Sequence, residues 1–133
     1  MPPAAILTEA QSWGIALACV MMAADIVAGF VAAAINRELS SSKMRKGLLH
    51  KVLMLILIFA CLAIEIGISH TVALPYDVPT CEVACGYIII MELMSVLENV
   101  AKGYPEMKDS ALFRLFNLGD KIDGKDGDGD GED

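Results

Sequence analysis

The sequence predicts an all-α integral membrane protein with three transmembrane helices, which forms oligomers and ends in an interfacial helix and a disordered acidic tail. Three observations predict this class. Hydrophobic residues occupy 56% of the 133 positions, more than a soluble domain of this size can bury. They form three long runs, and a spanning helix needs about 20 such residues. All the lysines and arginines lie outside these runs.

The runs define the domain organisation. Residues 1–11 form a short N-terminal segment, and residues 12–103 form the transmembrane domain, with spans at about 12–35, 52–74 and 82–101. Pro75 and Pro79 separate the last two spans, since proline interrupts a helix. The first span begins with Trp13, a residue typical of membrane interfaces.

Two different segments follow the third span. Residues 104–119 predict an amphipathic helix on the inner membrane surface, where Lys108 and Arg114 can reach lipid headgroups. The apolar face of that helix is predicted to hold Met107, Ala111, Leu115 and Leu118, and Phe113 falls outside it. Residues 120–133 are rich in Asp and Gly, a composition typical of a disordered tail.

The positive charges predict the orientation. Short loops rich in Lys and Arg remain on the cytoplasmic side of a membrane. The first connection holds five bases, and the first dozen residues and the second connection hold none. The other five bases follow the third span. The predicted N-terminus therefore lies outside and the C-terminus inside, with these topology determinants: Arg37, Lys43, Arg45, Lys46 and Lys51.

Acidic residues inside the spans are the main functional signal. Asp25, Glu65 and Glu92 lie well inside their runs, and each costs about 2.5–3.5 kcal/mol at the bilayer centre when charged. Because no Lys or Arg lies centrally in a span, we expect these acids to protonate, meet water or bond to neighbouring helices. We expect a bundle of three helices to be too thin to bury all three acids. This reasoning favours an oligomer.

Helical spacing places the acids on faces with small and polar residues, which permit close helix contact. The predicted pore or oligomer face comprises Asp25, Gly29, Asn36, Glu65, Glu92, Ser95 and Asn99. The alternative is that the small residues only pack the three helices of one chain against each other.

Two motifs carry a family resemblance. They are "DIVAGFVAAAINRELSSSKMRKGLLHK" and "ELMSVLENVAKGYPEM", within residues 20–118. Together they resemble the toxin-secretion and phage-lysis holin family, which includes clostridial toxin-exporting holins. The matching positions are Asp25, Gly29, Asn36, Ser41, Ser42, Lys43, Gly47, Glu92, Ser95, Glu98, Asn99, Gly103 and Pro105.

The resemblance implies a small multi-pass protein of the bacterial cytoplasmic membrane that oligomerises and opens a lesion. An endolysin or a toxin then leaves the cell as cargo, without a need for direct binding, and an antiholin is a further partner. Two other functions stay open: a small oligomeric proton, ion or solute transporter, and an antiholin that regulates a partner holin.

The remaining sequence features predict no enzyme. No nucleophile–base pair, phosphate loop or metal-ligand spacing occurs in the sequence, so we expect no catalysis, no cofactor, no metal and no nucleic-acid partner. Cys81 and Cys85 lie at the predicted outer end of the third span, in an oxidising setting. They are candidates for a disulfide, within or between chains, although a four-residue separation in a helix strains such a bond.

Overall fold

The protein is an antiparallel arrangement of three long helices. The computed structural model describes residues 6–116, and no strand occurs within that range. The helices are α1 (Glu9–Ile35), α2 (Ser41–Thr71) and α3 (Thr80–Gly103), followed by a 3-10 turn at Pro105–Asp109 and a short α4 at Ala111–Phe116. All three long helices are long and apolar enough to cross a membrane. The prediction of an all-α, three-span membrane protein is confirmed.

Local signals fix both ends of α1. Thr8 and Gln11 form a capping box: the Thr8 hydroxyl accepts from the Gln11 amide, and the Gln11 side chain accepts from the Thr8 amide. At the other end, the Glu38 amide donates to the Ala33 carbonyl, the bond pattern of a helix that stops at a left-handed residue. That residue is Arg37, with φ of 56°, where a side chain costs about 1–2 kcal/mol.

Helix α2 begins earlier than predicted. The predicted span started at residue 52, but Ser40 caps the helix and α2 starts at Ser41. Hydropathy alone misses these first turns because they are basic. In the structure, residues 41–50 are all exposed. At 31 residues, α2 is about 46 Å long, longer than the hydrocarbon core of about 30 Å. The basic connection is therefore mostly helix, with a short turn at residues 36–40.

The helices pack unequally. Helices α1 and α3 run parallel along a continuous interface, and the antiparallel α2 packs mainly against α3. The main core cluster includes Ala18, Met22, Ile58, Cys85 and Ile88. The outer faces of all three helices carry exposed large hydrophobic side chains, as lipid contact requires. We call the end that holds residues 35–43 and 100–116 the basic end, and the opposite end the far end.

The segment after α3 differs from the predicted amphipathic helix. A break at Ser110 separates the 3-10 turn from α4, so one helical phase does not apply across the segment. Phe113, predicted to fall outside the apolar face, is buried against Leu97 and Ala101. Leu115, predicted to lie on that face, is 77% exposed. Leu118, residues 1–5 and the predicted tail at 120–133 lie outside the described residues.

Candidate functional site: two carboxylate networks between the helices

A lysine from α2 joins acids from α1 and α3 near the middle of the bundle. Lys51 Nζ donates to Asp25 Oδ2 at 2.5 Å and also to Glu92 Oε2. Asn99 Nδ2 donates to Asp25 Oδ1 at 2.9 Å. The side chains of Lys51, Asp25 and Glu92 are 12%, 10% and 1% exposed. We call these four residues the lysine cluster.

The lysine cluster corrects one step of the sequence reasoning. Lys51 was predicted to mark the cytoplasmic connection, and the acids were predicted to lack a cation. Because α2 starts at Ser41, Lys51 is in the third turn of the helix, about 15 Å from its start. The side chain then reaches both carboxylates. A single chain therefore buries Asp25 and Glu92 and leaves Glu65 half-buried, so the first two acids need no neighbouring chain to be buried.

The formal charge of the lysine cluster is negative. One ammonium and two carboxylates sum to −1 when all three groups are ionised. Lys51 links the two acids, and the neutral Asn99 amide donates a further hydrogen bond to Asp25. The arrangement removes most of the cost of placing these acids in an apolar bundle, because paired and hydrogen-bonded charges are tolerated where isolated ones are not.

The third acid lies in a separate network at the far end. Glu65 Oε1 accepts from Gln11 Nε2 at 2.9 Å, and Glu65 Oε2 accepts from the Cys81 amide at 2.8 Å. Gln11 is 4% exposed. These three residues form what we call the Glu65 junction, and it connects all three long helices. Both Glu65 oxygens thus have donors within one chain.

Glu65 also completes the start of α3. The N-cap residue of α3 is Pro79, and no side chain of its own segment caps the helix. The Glu65 carboxylate replaces that cap, since the Cys81 amide is one of the donors left unpaired in a helical first turn. A negative group at a helix N-terminus is also favoured by the helix dipole. Glu65 therefore has a structural role that its sequence position did not reveal.

The predicted small and polar stripe of α1 faces α3 of the same chain. A Cβ added at Gly29 would lie 3.4 Å from Asn99 Nδ2, and one added at Gly14 would lie 3.4 Å from Cys85 Cβ. Asn36 Nδ2 donates to the Lys102 carbonyl at 3.1 Å. In this structure the small residues pack the helices of one chain together, which is the alternative that the sequence left open.

The structure brings together most of the predicted face. Asp25, Gly29, Glu92 and Asn99 meet around the lysine cluster, Asn36 closes the basic end, and Glu65 lies apart at the far end. Ser95 is half-buried on α3. That these residues line a pore or an oligomer contact stays a prediction.

Two details at the far end were not anticipated. Glu82, in the first turn of α3, is half-buried, and its Oε2 has no hydrogen-bond partner within the described residues. Cys81 and Cys85 are free, buried thiols. A disulfide between them stays a prediction.

Sequence reasoning missed two contributors to these networks. Gln11 had a signal, because "TEAQ" at residues 8–11 has the spacing of a capping box. Lys51 also had one, because the serines at residues 40–42 mark a helix start that places it well inside α2. The pairing of these residues with acids on other helices had no signal in the sequence.

Comparison with protein families identifies a relationship. A model described as the bacteriophage holin family matches residues 4–106, which include all three long helices and both carboxylate networks. Comparison with curated proteins and with solved structures gave no match.

Proposed function

Because the chain belongs to the bacteriophage holin family, we propose that it accumulates in the bacterial cytoplasmic membrane and then opens a lesion. The lesion releases an endolysin, or a toxin, which passes through without binding the chain. The proposed orientation keeps the N-terminus outside and the C-terminus inside, with Arg37, Lys43, Arg45 and Lys46 at the cytoplasmic surface.

One observation supports this proposal most directly. Polar and small residues run the length of the α1–α3 interface, while the outer faces of the bundle are apolar. A chain of this kind can diffuse in lipid as a closed bundle, since Asp25, Glu65 and Glu92 are already bonded. It also retains a polar face that becomes available when α1 and α3 separate.

The proposed opening reuses that face. When the closed bundles reach a high local density, α1 and α3 of one chain part and meet helices of neighbouring chains. Asp25, Glu92 and Asn99 then face water, which solvates charges far better than lipid does. Apolar outer faces remain against lipid. The same residues thus stabilise the closed bundle before opening and line the lesion afterwards.

Membrane potential supplies a trigger in this scheme. Moving one charge across 100 mV is worth about 2.3 kcal/mol, and the lysine cluster carries a formal charge of −1 near the middle of the bundle. In this scheme the potential contributes to the stability of the closed bundle, and collapse of the potential removes that contribution. An uncoupler is therefore expected to advance opening in cells that already hold the protein.

The test is expression of the chain in bacteria, with entry of an impermeant dye recorded before and after an uncoupler is added. A lesion-forming protein admits the dye and releases a coexpressed endolysin. Absence of dye entry at every expression level contradicts the proposal. Proton flux without dye entry would instead identify a transporter, and delayed lysis by a coexpressed holin would identify an antiholin.

A further inference from the structure

Lys51 connects two helices that the proposed opening must separate. Its ammonium bonds to Asp25 on α1 and to Glu92 on α3, and it reaches them from α2. In contrast, Lys46 lies on the same helix and is exposed. The two lysines belong to one basic segment, but of the two only Lys51 lies among buried acids.

We propose that Lys51 is the positioning residue that sets the threshold for opening, by bridging Asp25 and Glu92 in the closed bundle. This inference rests on the holin function proposed above. With Lys51 present, the two carboxylates share a cation and α1 stays against α3. Without it, two acids face each other inside an apolar bundle, and separation into water becomes the favoured way to solvate them.

The geometry around the bridge supports this role. Asn99 supports Asp25, because its amide nitrogen donates to Asp25 Oδ1. Glu92 is 1% exposed, so water does not solvate it in the closed chain. Gly29 leaves room for Asn99 at the contact. The bridge therefore depends on the single ammonium that reaches both carboxylates.

The experiment compares Lys51→Met with the matched control Lys46→Met. Each variant removes one positive charge from the same segment, so an effect on orientation or surface charge is common to both. A triple variant, Lys51→Met with Asp25→Asn and Glu92→Gln, removes the bridge and the charges it serves. Each chain is expressed at graded levels, its amount in the membrane is measured, and the density at first dye entry is recorded.

The bridge predicts that Lys51→Met opens at a roughly tenfold lower membrane density, the factor that corresponds to 1.4 kcal/mol. Lys46→Met should open at the wild-type density, and the triple variant, which lacks the two unpaired carboxylates, should need a higher density than Lys51→Met. A higher threshold in the triple variant than in Lys51→Met also shows that the early opening comes from the unpaired carboxylates and not from loss of the lysine alone.

Three results would overturn the inference. One is equal thresholds for the Lys51 and Lys46 variants. Another is a triple variant as sensitive as Lys51→Met, and the third is a Lys51→Met chain that reaches wild-type amounts without opening. If the wild-type chain itself admits no dye, the holin function fails, which is a separate outcome from failure of the bridge.

Discussion

The lysine cluster and the Glu65 junction solve the same problem in different ways. Each places acid between three helices of an apolar bundle, buried in the cluster and half-buried at the junction. The cluster relies on one cation shared by two carboxylates, whereas the junction satisfies one carboxylate with a side-chain amide and a backbone amide. The cluster keeps a formal net charge and depends on a single residue. The junction depends on a neutral side chain and on the start of a helix.

The difference suggests that the two networks have different roles. The Glu65 junction connects the far ends of the helices through bonds that include the backbone, so it is suited to hold the bundle together. The lysine cluster is suited to change state, because its charge balance alters when water or a neighbouring chain approaches. Opening is therefore expected to begin around the cluster and the basic end, while the far end stays joined.

The largest effect on stability is expected at the junction. Glu65→Ala leaves the Gln11 side chain and the Cys81 amide without their acceptor, and each unpaired buried group costs about 1–3 kcal/mol. We expect the free energy of unfolding to fall by about 2–4 kcal/mol, measured by titration with a denaturing detergent. Glu38→Ala, in the exposed turn, is the matched control and should change little. Equal effects of the two variants would show that the junction does not hold the helices.

A smaller loss is expected at the cluster when its neutral donor is removed. Asn99→Ala takes one hydrogen bond from the Asp25 carboxylate, and bonds to charged groups contribute about 1.5–3 kcal/mol. The same titration should show a loss in that range, together with earlier dye entry. Asn36→Ala breaks a bond to a backbone carbonyl at an exposed position and should cost less. A larger loss for Asn36→Ala would contradict the importance given to the cluster.

The smallest effect distinguishes two glycines of α1. Alanine is favoured over glycine in a helix by about 1 kcal/mol, and the added Cβ meets a neighbour at 3.4 Å in both cases. At Gly14 the neighbour is Cys85 Cβ, so Gly14→Ala should be neutral or slightly stabilising. At Gly29 the neighbour is the Asn99 amide that serves Asp25. Gly29→Ala should therefore be less stable than Gly14→Ala by about 1 kcal/mol or less, and the opposite order would contradict the packing described here.

The sequence predicted the helices better than their partners. Three apolar runs and two prolines were enough to predict three spans, because length and hydropathy are local properties. The start of α2 was misplaced because a hydropathy pattern excludes basic turns, although Ser40 marked the cap. The single amphipathic helix predicted after α3 is interrupted, because a break at Ser110 separates the 3-10 turn from α4.

The sequence predicted most residues of the site, but not which of them contact each other. Spacing placed Asp25 and Gly29 on one face of α1, and Glu92 and Asn99 on one face of α3. Which face meets which helix depends on tertiary packing, so the bridge through Lys51 could not be read from spacing. The role of Glu65 at the start of α3 likewise depends on how α2 and α3 pack after their connection.

The structure offers covalent tests of where the bundle opens. At the basic end, a Cβ added at Gly103 would lie 3.6 Å from Ala32 Cβ, within the usual range for a disulfide of about 3.5–4.5 Å. The double variant Ala32→Cys with Gly103→Cys can therefore link α1 to α3 beside the cluster. At the far end, Gly14→Cys can pair with the native Cys85 and link the same two helices near the junction.

The most direct measurement is dye release from lipid vesicles that contain the Ala32→Cys, Gly103→Cys chain, before and after reduction of the disulfide. Opening by separation of α1 and α3 around the lysine cluster predicts no release in the oxidised state and rapid release once a reductant is added, while the single variant Ala32→Cys releases dye in both states. Release at the same rate from oxidised and reduced vesicles, with the link verified, would contradict the account.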